Sequence, residues 1–131
     1  MNKSELEQRT KAFALRAIRF VSDFHRSKAA DVIGYQLLKS ATSIGANYRE
    51  ANRAESRADF VHKIAIVEKE AAETEYWLEL CQEGRLGDPE ECGELLREAD
   101  ELVAIFTSVG KRTKLNVAPV HNPKSQIRDP Q

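Results

Sequence analysis

One seven-residue rhythm governs this chain. Phe60, Ile64, Val67, Ala71, Thr74, Leu78 and Cys81 follow one another at alternating steps of four and three. That spacing keeps all seven side chains on one face of an α-helix. A helix with a single apolar seam and charged flanks buries the seam only against other helices of the same kind. The alternation recurs in three more segments: Leu6, Thr10, Phe13, Ala17, Phe20, Phe24; Ile33, Leu37, Ser40, Ile44, Asn47, Ala51; and Cys92, Leu95, Ala99, Leu102, Phe106, Val109. Four amphipathic segments joined by short breaks predict an all-α fold, an antiparallel up-down-up-down four-helix bundle.

Local signals place the boundaries. Ser4-Glu5-Leu6-Glu7 reads as a capping box at the start of the first helix. Ser27 can cap the second, which is expected from Lys28 to Arg53. Ser56, with Asp59 three residues on, opens the third, and Gly84 suits the position just past its end near Glu83. Asp88-Pro89-Glu90-Glu91 is a helix start with an N-cap, a proline at the first helical position and acids in the first turn. The fourth helix is expected to end near Lys114, giving a bundle over 1–114. Residues 115–131 contain Pro119, Pro123 and Pro130 and no periodicity, and read as a disordered basic tail. No apolar run approaches the roughly 18 residues of a membrane span. The chain opens directly into a charged helix, which predicts a cytoplasmic protein without a signal peptide.

The residues offer little chemistry. A di-iron bundle needs two Glu-x-x-His motifs and two further carboxylates. Only Asp59-Phe60-Val61-His62 comes near, so no metal is expected. Cys81 and Cys92 both fall on seams, where a thiol behaves as a small buried hydrophobe. No nucleophile elbow, phosphate loop or dinucleotide fingerprint occurs. The expectation is a protein with no catalytic residue and no cofactor.

Charge and surface residues say more. The net charge of −1 conceals +4 over residues 1–28, −10 over 55–110 and +4 over 111–131. Arg9, Arg16, Arg19 and Arg26 lie along one edge of the first helix. With Lys111, Arg112 and Lys114, and Lys124 and Arg128 of the tail, they could follow a nucleic-acid backbone. An equally simple account pairs the same arginines with acids of the third or fourth helix. A polar set, Ser40, Ser43, Asn47 and Glu50 on the second helix with Lys69, Glu70, Glu73 and Glu75 on the third, reads as one hydrogen-bond network that fixes register. Tyr76 and Trp77, with Val61, Ile66, Tyr35 and Leu38, lie off the seams and read as surface for another subunit.

Two segments carry a resemblance. Ser40-Ala-Thr-Ser-Ile-Gly-Ala-Asn-Tyr-Arg-Glu-Ala51, followed by Lys69-Glu-Ala-Ala-Glu-Thr-Glu-Tyr-Trp-Leu-Glu-Leu80, resembles the bacterial family first named for proteins encoded in intervening sequences of 23S ribosomal RNA. It was once called the S23 ribosomal protein family, and the accessory protein of diversity-generating retroelements is in the same structural group. Many members have Gly after the glutamate that sits here at Glu50, where this chain has Ala51. The resemblance implies a four-helix bundle assembled as a homo-pentameric ring, with no established biochemical activity. It suggests a non-enzymatic self-assembling scaffold or interaction protein of unknown partner, with Ser43, Asn47, Glu50, Glu70, Glu73, Tyr76 and Trp77 as structural or interface residues. The alternative is a nucleic-acid-binding accessory protein using the basic edge of the first helix and the tail.

Overall fold

The computed structural model describes residues 1–116 and forms four α-helices: α1 Lys3–Ser22, α2 Lys28–Ala51, α3 Arg57–Glu83 and α4 Pro89–Asn116. They run up, down, up and down. α2 packs most extensively against α3, and α3 against α4; α1 and α4 close the ring with the slightest contact. The part of the tail from residue 117 on lies outside the described residues. No described helix is long and apolar enough to cross a membrane.

Three of the four seams are buried as spaced, except that Phe60 at the start of α3 and Phe24, which lies past the end of α1, are only partly buried. Leu6, Thr10, Phe13, Ala17 and Phe20 point inward from α1. Ile64, Val67, Ala71, Thr74, Leu78 and Cys81 do so from α3. Cys92, Leu95, Ala99, Leu102 and Phe106 do so from α4, with Val109 partly buried beyond them. The thiols of Cys81 and Cys92 are both free. Burial, with Cys92 close by, pushes the Cys81 thiol up to about 12, so neither cysteine supplies a thiolate near neutrality.

α2 departs from its expected seam. Tyr48 is buried in place of Asn47, and Gly34 is more buried than Ile33. The Tyr48 ring closes edge-on against Phe106 with centroids 5.2 Å apart. Small residues then let α1 approach closely: a Cβ on Gly45 would lie 3.1 Å from Thr10 Oγ1. Asn47 is turned to the flank, where its amide donates to Ser43 O at 2.8 Å.

The caps also differ in detail. The capping box of α1 is Asn2 with Glu5, two residues before the expected Ser4 with Glu7: Glu5 N donates to Asn2 Oδ1 at 2.8 Å and Asn2 N to Glu5 Oε1 at 2.9 Å. Ser27, Ser56 and Asp88 cap the other three as read. α2 ends two residues before Arg53, and α4 two residues past Lys114. Asn52 then ties the end of α2 to the start of α1 by donating to Glu7 Oε2 at 2.9 Å.

At the end of α3 the left-handed residue is Arg85 (φ 59°), not Gly84 (φ −84°). Leu86 N donates to Cys81 O at 2.8 Å and Arg85 N to Gln82 O at 3.3 Å, the pair of bonds that closes a helix around a left-handed residue. Arginine tolerates that φ poorly and glycine well. Arg85→Gly is expected to stabilise the fold by about 0.5–1 kcal/mol. Chemical denaturation reads this as a higher midpoint at unchanged slope; an unchanged or lower midpoint would show that the Arg85 side chain offsets the backbone strain.

Candidate interaction surfaces

The basic edge of α1 does not stand free. Arg9 Nε donates to Glu98 Oε2 at 2.6 Å, and its Nη2 to Glu98 Oε1 at 2.8 Å and Glu101 Oε1 at 2.5 Å. Arg16 Nε donates to Glu91 Oε2 at 3.2 Å and Nη2 to Glu94 Oε1 at 3.0 Å. Antiparallel packing of α1 on α4 sets these residues level with one another, and the pairs bridge the seam where the two helices touch least. The hydrogen bond to Glu98, working against burial and with help from Glu101, holds the Arg9 guanidinium above its ordinary value. Arg19 and Arg26 are exposed and carry no ion pair among the described residues. Lys111, Arg112 and Lys114 are exposed on the last turns of α4, with Arg112 Nη1 donating to Ser108 Oγ at 2.9 Å. The seven cations therefore form no single stripe: two bind glutamates, two flank the far end of α1 and three sit at the opposite end of the bundle.

The polar set lies across α2 and α3 but is not one network. Ser40 Oγ donates to Leu37 O and Ser43 Oγ to Lys39 O, each within its own helix. Glu50 reaches across to Lys63 at 3.0 Å rather than to Lys69. A hydroxyl or amide on a helix meets its own carbonyl three or four residues back before it meets a neighbour. Glu70 is half-buried; desolvation, with Glu73 adding to it, raises its carboxyl above the usual range, against the pull of Lys69 and Lys39. Glu73 accepts from Trp77 Nε1 at 3.0 Å. Tyr76 packs edge-on against Trp77, ring centroids 5.0 Å apart, and remains 53% exposed.

Residues 2–108 match the family described as 23S rRNA-intervening sequence protein. The chain belongs to that family. A solved structure of a protein of unknown function from the S23 ribosomal protein family, from Bacteroides thetaiotaomicron, is 36% identical. The similarity covers 85% of this chain and 99% of that one with a TM-score of 0.77. No curated protein matches at a significant level. Among the described residues of this intervening-sequence family member, no group of three or more His, Cys, Asp or Glu is placed to hold a metal ion.

What the residue pattern left out is the polarity of the bundle. Cut at mid-helix, the half holding residues 1–12, 40–70 and 103–116 carries 11 Lys/Arg against 7 Asp/Glu; the half holding 13–39 and 71–102 carries 7 against 13. Alternating helix direction sorts charge along the bundle axis, which segment-by-segment counting along the chain does not display.

Proposed function

We propose that this protein is a cytoplasmic, non-enzymatic scaffold that assembles with copies of itself through the outer surface of α2 and α3. The observation that carries the reading is the Tyr76–Trp77 pair. Trp77 lies half-buried against the core, fixed by a hydrogen bond to Glu73, and Tyr76 packs edge-on against it and is left exposed. A preorganised aromatic anchor on a surface is what interfaces use. Val32 on α2 adds to the exposed apolar area, at 56%, while Tyr35, at 63%, borders the groove beside the end of α1. The family resemblance supports a ring of five.

Light-scattering mass tests it. The full chain is expected to run as a multiple of the protomer, and Tyr76→Ala with Trp77→Ala to fall to monomer with helical circular dichroism retained. Burial holds the Glu70 carboxyl above its usual range in the folded chain. Its burial at an interface would strengthen this, so assembly should tighten as pH falls from neutral toward the acid side, and Glu70→Gln should abolish that pH dependence. A monomeric wild-type chain would end the scaffold reading.

A second reading, nucleic-acid binding, is supported by the excess of cations in the half that contains Lys111, Arg112 and Lys114. It weakens at α1, because Arg9 and Arg16 are already neutralised by α4. It predicts a mass increase with RNA or DNA that collapses as salt rises.

A further inference from the structure

At the basic end of the bundle, the start of α1, the start of α3 and the last turns of α4 border a groove of about 380 Å³. Its walls are Lys3, Arg57 and Arg112; its floor is Phe60, Val109 and Thr113. We propose that this groove binds a phosphate monoester carried on an apolar or planar body, a mononucleotide being the simplest case. The site is separate from the α2–α3 surface and does not rest on the scaffold reading.

Three features converge there. Three cations come from three different elements, and among the described residues no carboxylate lines the groove. Among the described residues Lys3 and Arg57 have no ion-pair or hydrogen-bond partner for their side chains, and Arg112 binds only the Ser108 hydroxyl. Of the acids in the same first turns, Glu5 is bound back to the N–H of Asn2, and neither it nor Asp59 lines the groove. Two guanidinium forks and an ammonium match a phosphate dianion, which offers three acceptor oxygens where a carboxylate offers two. Beside them, Phe60 and Val109 are only partly buried and present an apolar surface on which a ring can lie. The volume falls in the range of about 300–1,000 Å³ usual for small-molecule sites.

A second groove shows why this one is singled out. The opening of about 610 Å³ along α1 and α4 also holds two arginines, Arg16 and Arg19. There Asp23, Asp88, Glu91 and Glu94 line the same walls, and an anion entering it meets four carboxylates.

The test is titration calorimetry and amide-proton NMR on the full chain with adenosine 5′-monophosphate, adenosine and inorganic phosphate at matched ionic strength. Saturable binding of the monophosphate is expected, with shifts confined to the surroundings of Lys3, Arg57, Phe60 and Arg112. Adenosine should not bind, and phosphate should bind more weakly. Arg57→Gln with Arg112→Gln should weaken binding at least about tenfold, while Arg19→Gln changes nothing. Should the double variant lose helicity, Lys3→Gln, at an exposed first-turn position, reads the same loss. A 5′-phosphorylated oligonucleotide against its 5′-hydroxyl twin distinguishes the two sources of this chemistry. Equal affinity for the twins assigns the free nucleotide; a preference for the phosphorylated strand over the monophosphate assigns a strand end. Absence of saturable binding, equal binding of adenosine or of bare phosphate, or an unaffected double variant overturns the proposal. Protomer mass should be the same in all these variants, so failure here leaves the scaffold reading standing, and the reverse.

Discussion

Replacing Gly87 with valine is expected to cost about 3 kcal/mol or more, from left-handed strain and overpacking together. Gly87 sits in the α3–α4 turn at φ 75°. A Cβ there would lie 2.5 Å from Phe20 Cε1 and 2.7 Å from Phe24 Cε1, closer than real Cβ atoms come. Those rings are themselves packed edge-on, centroids 5.1 Å apart, and plug the end of the bundle between α1 and the turn. Phe20 cannot withdraw without opening the core, where it is 3% exposed. A small domain holds about 5–15 kcal/mol in all, so the loss is a large share of its stability. Gly93 supplies the internal control. It lies inside α4 with open space around its Cα. Gly93→Ala should therefore gain stability, up to about 1 kcal/mol, from helix propensity alone. Urea unfolding of the two variants beside the wild type decides it; a Gly87→Val midpoint equal to the wild type would show that the turn rearranges freely.

The contrast between these glycines shows what can be read from residues alone. The seams of α1, α3 and α4 are legible because each has an apolar residue, or a threonine at Thr10 and Thr74, at every seam position and charged residues beside it. The α2 seam reads correctly at Leu37, Ser40, Ile44 and Ala51 but one position early at Ile33 and Asn47, because Gly34 hardly differs in pattern from a polar flank and Tyr48 can serve a seam or a surface. The α1 cap was displaced because Asn2-x-x-Glu5 and Ser4-x-x-Glu7 satisfy the same rule, and only the position of the first helical turn separates them. Partners across the bundle were less legible still. The pairs of Arg9 and Arg16 span 75 to 92 residues, and their choice of α4 over α3 follows from the order of helices around the ring. The groove at the basic end escaped for a related reason: Lys3, Arg57 and Arg112 are far apart in the chain and meet only because α1 and α3 start where α4 finishes.

Arg9→Glu should be the most damaging single charge change, about 2–3 kcal/mol. It would set a third carboxylate against Glu98 and Glu101 at a site where the arginine is 24% and Glu98 20% exposed, too little solvent to screen the repulsion fully. Arg9→Met should lose less, about 1 kcal/mol, since its stem keeps the packing and only the ion pair disappears. Glu98→Arg added to Arg9→Glu should recover part of the loss by restoring an opposite-charge contact across the same seam. The comparison also separates two meanings of the basic edge. If the arginines of α1 serve the bundle, stability tracks Arg9 and Arg16, while reversal at the exposed Arg19 and Arg26 leaves thermal midpoint and mass unchanged. If they serve a polyanion, Arg19→Glu and Arg26→Glu abolish retention of RNA or DNA at constant stability, and the Arg9 variants lose retention only in proportion to the folded fraction. Thermal midpoints and nucleic-acid retention measured on the same preparations distinguish these outcomes, because one property moves with the glutamates of α4 and the other with cations that have no partner among the described residues.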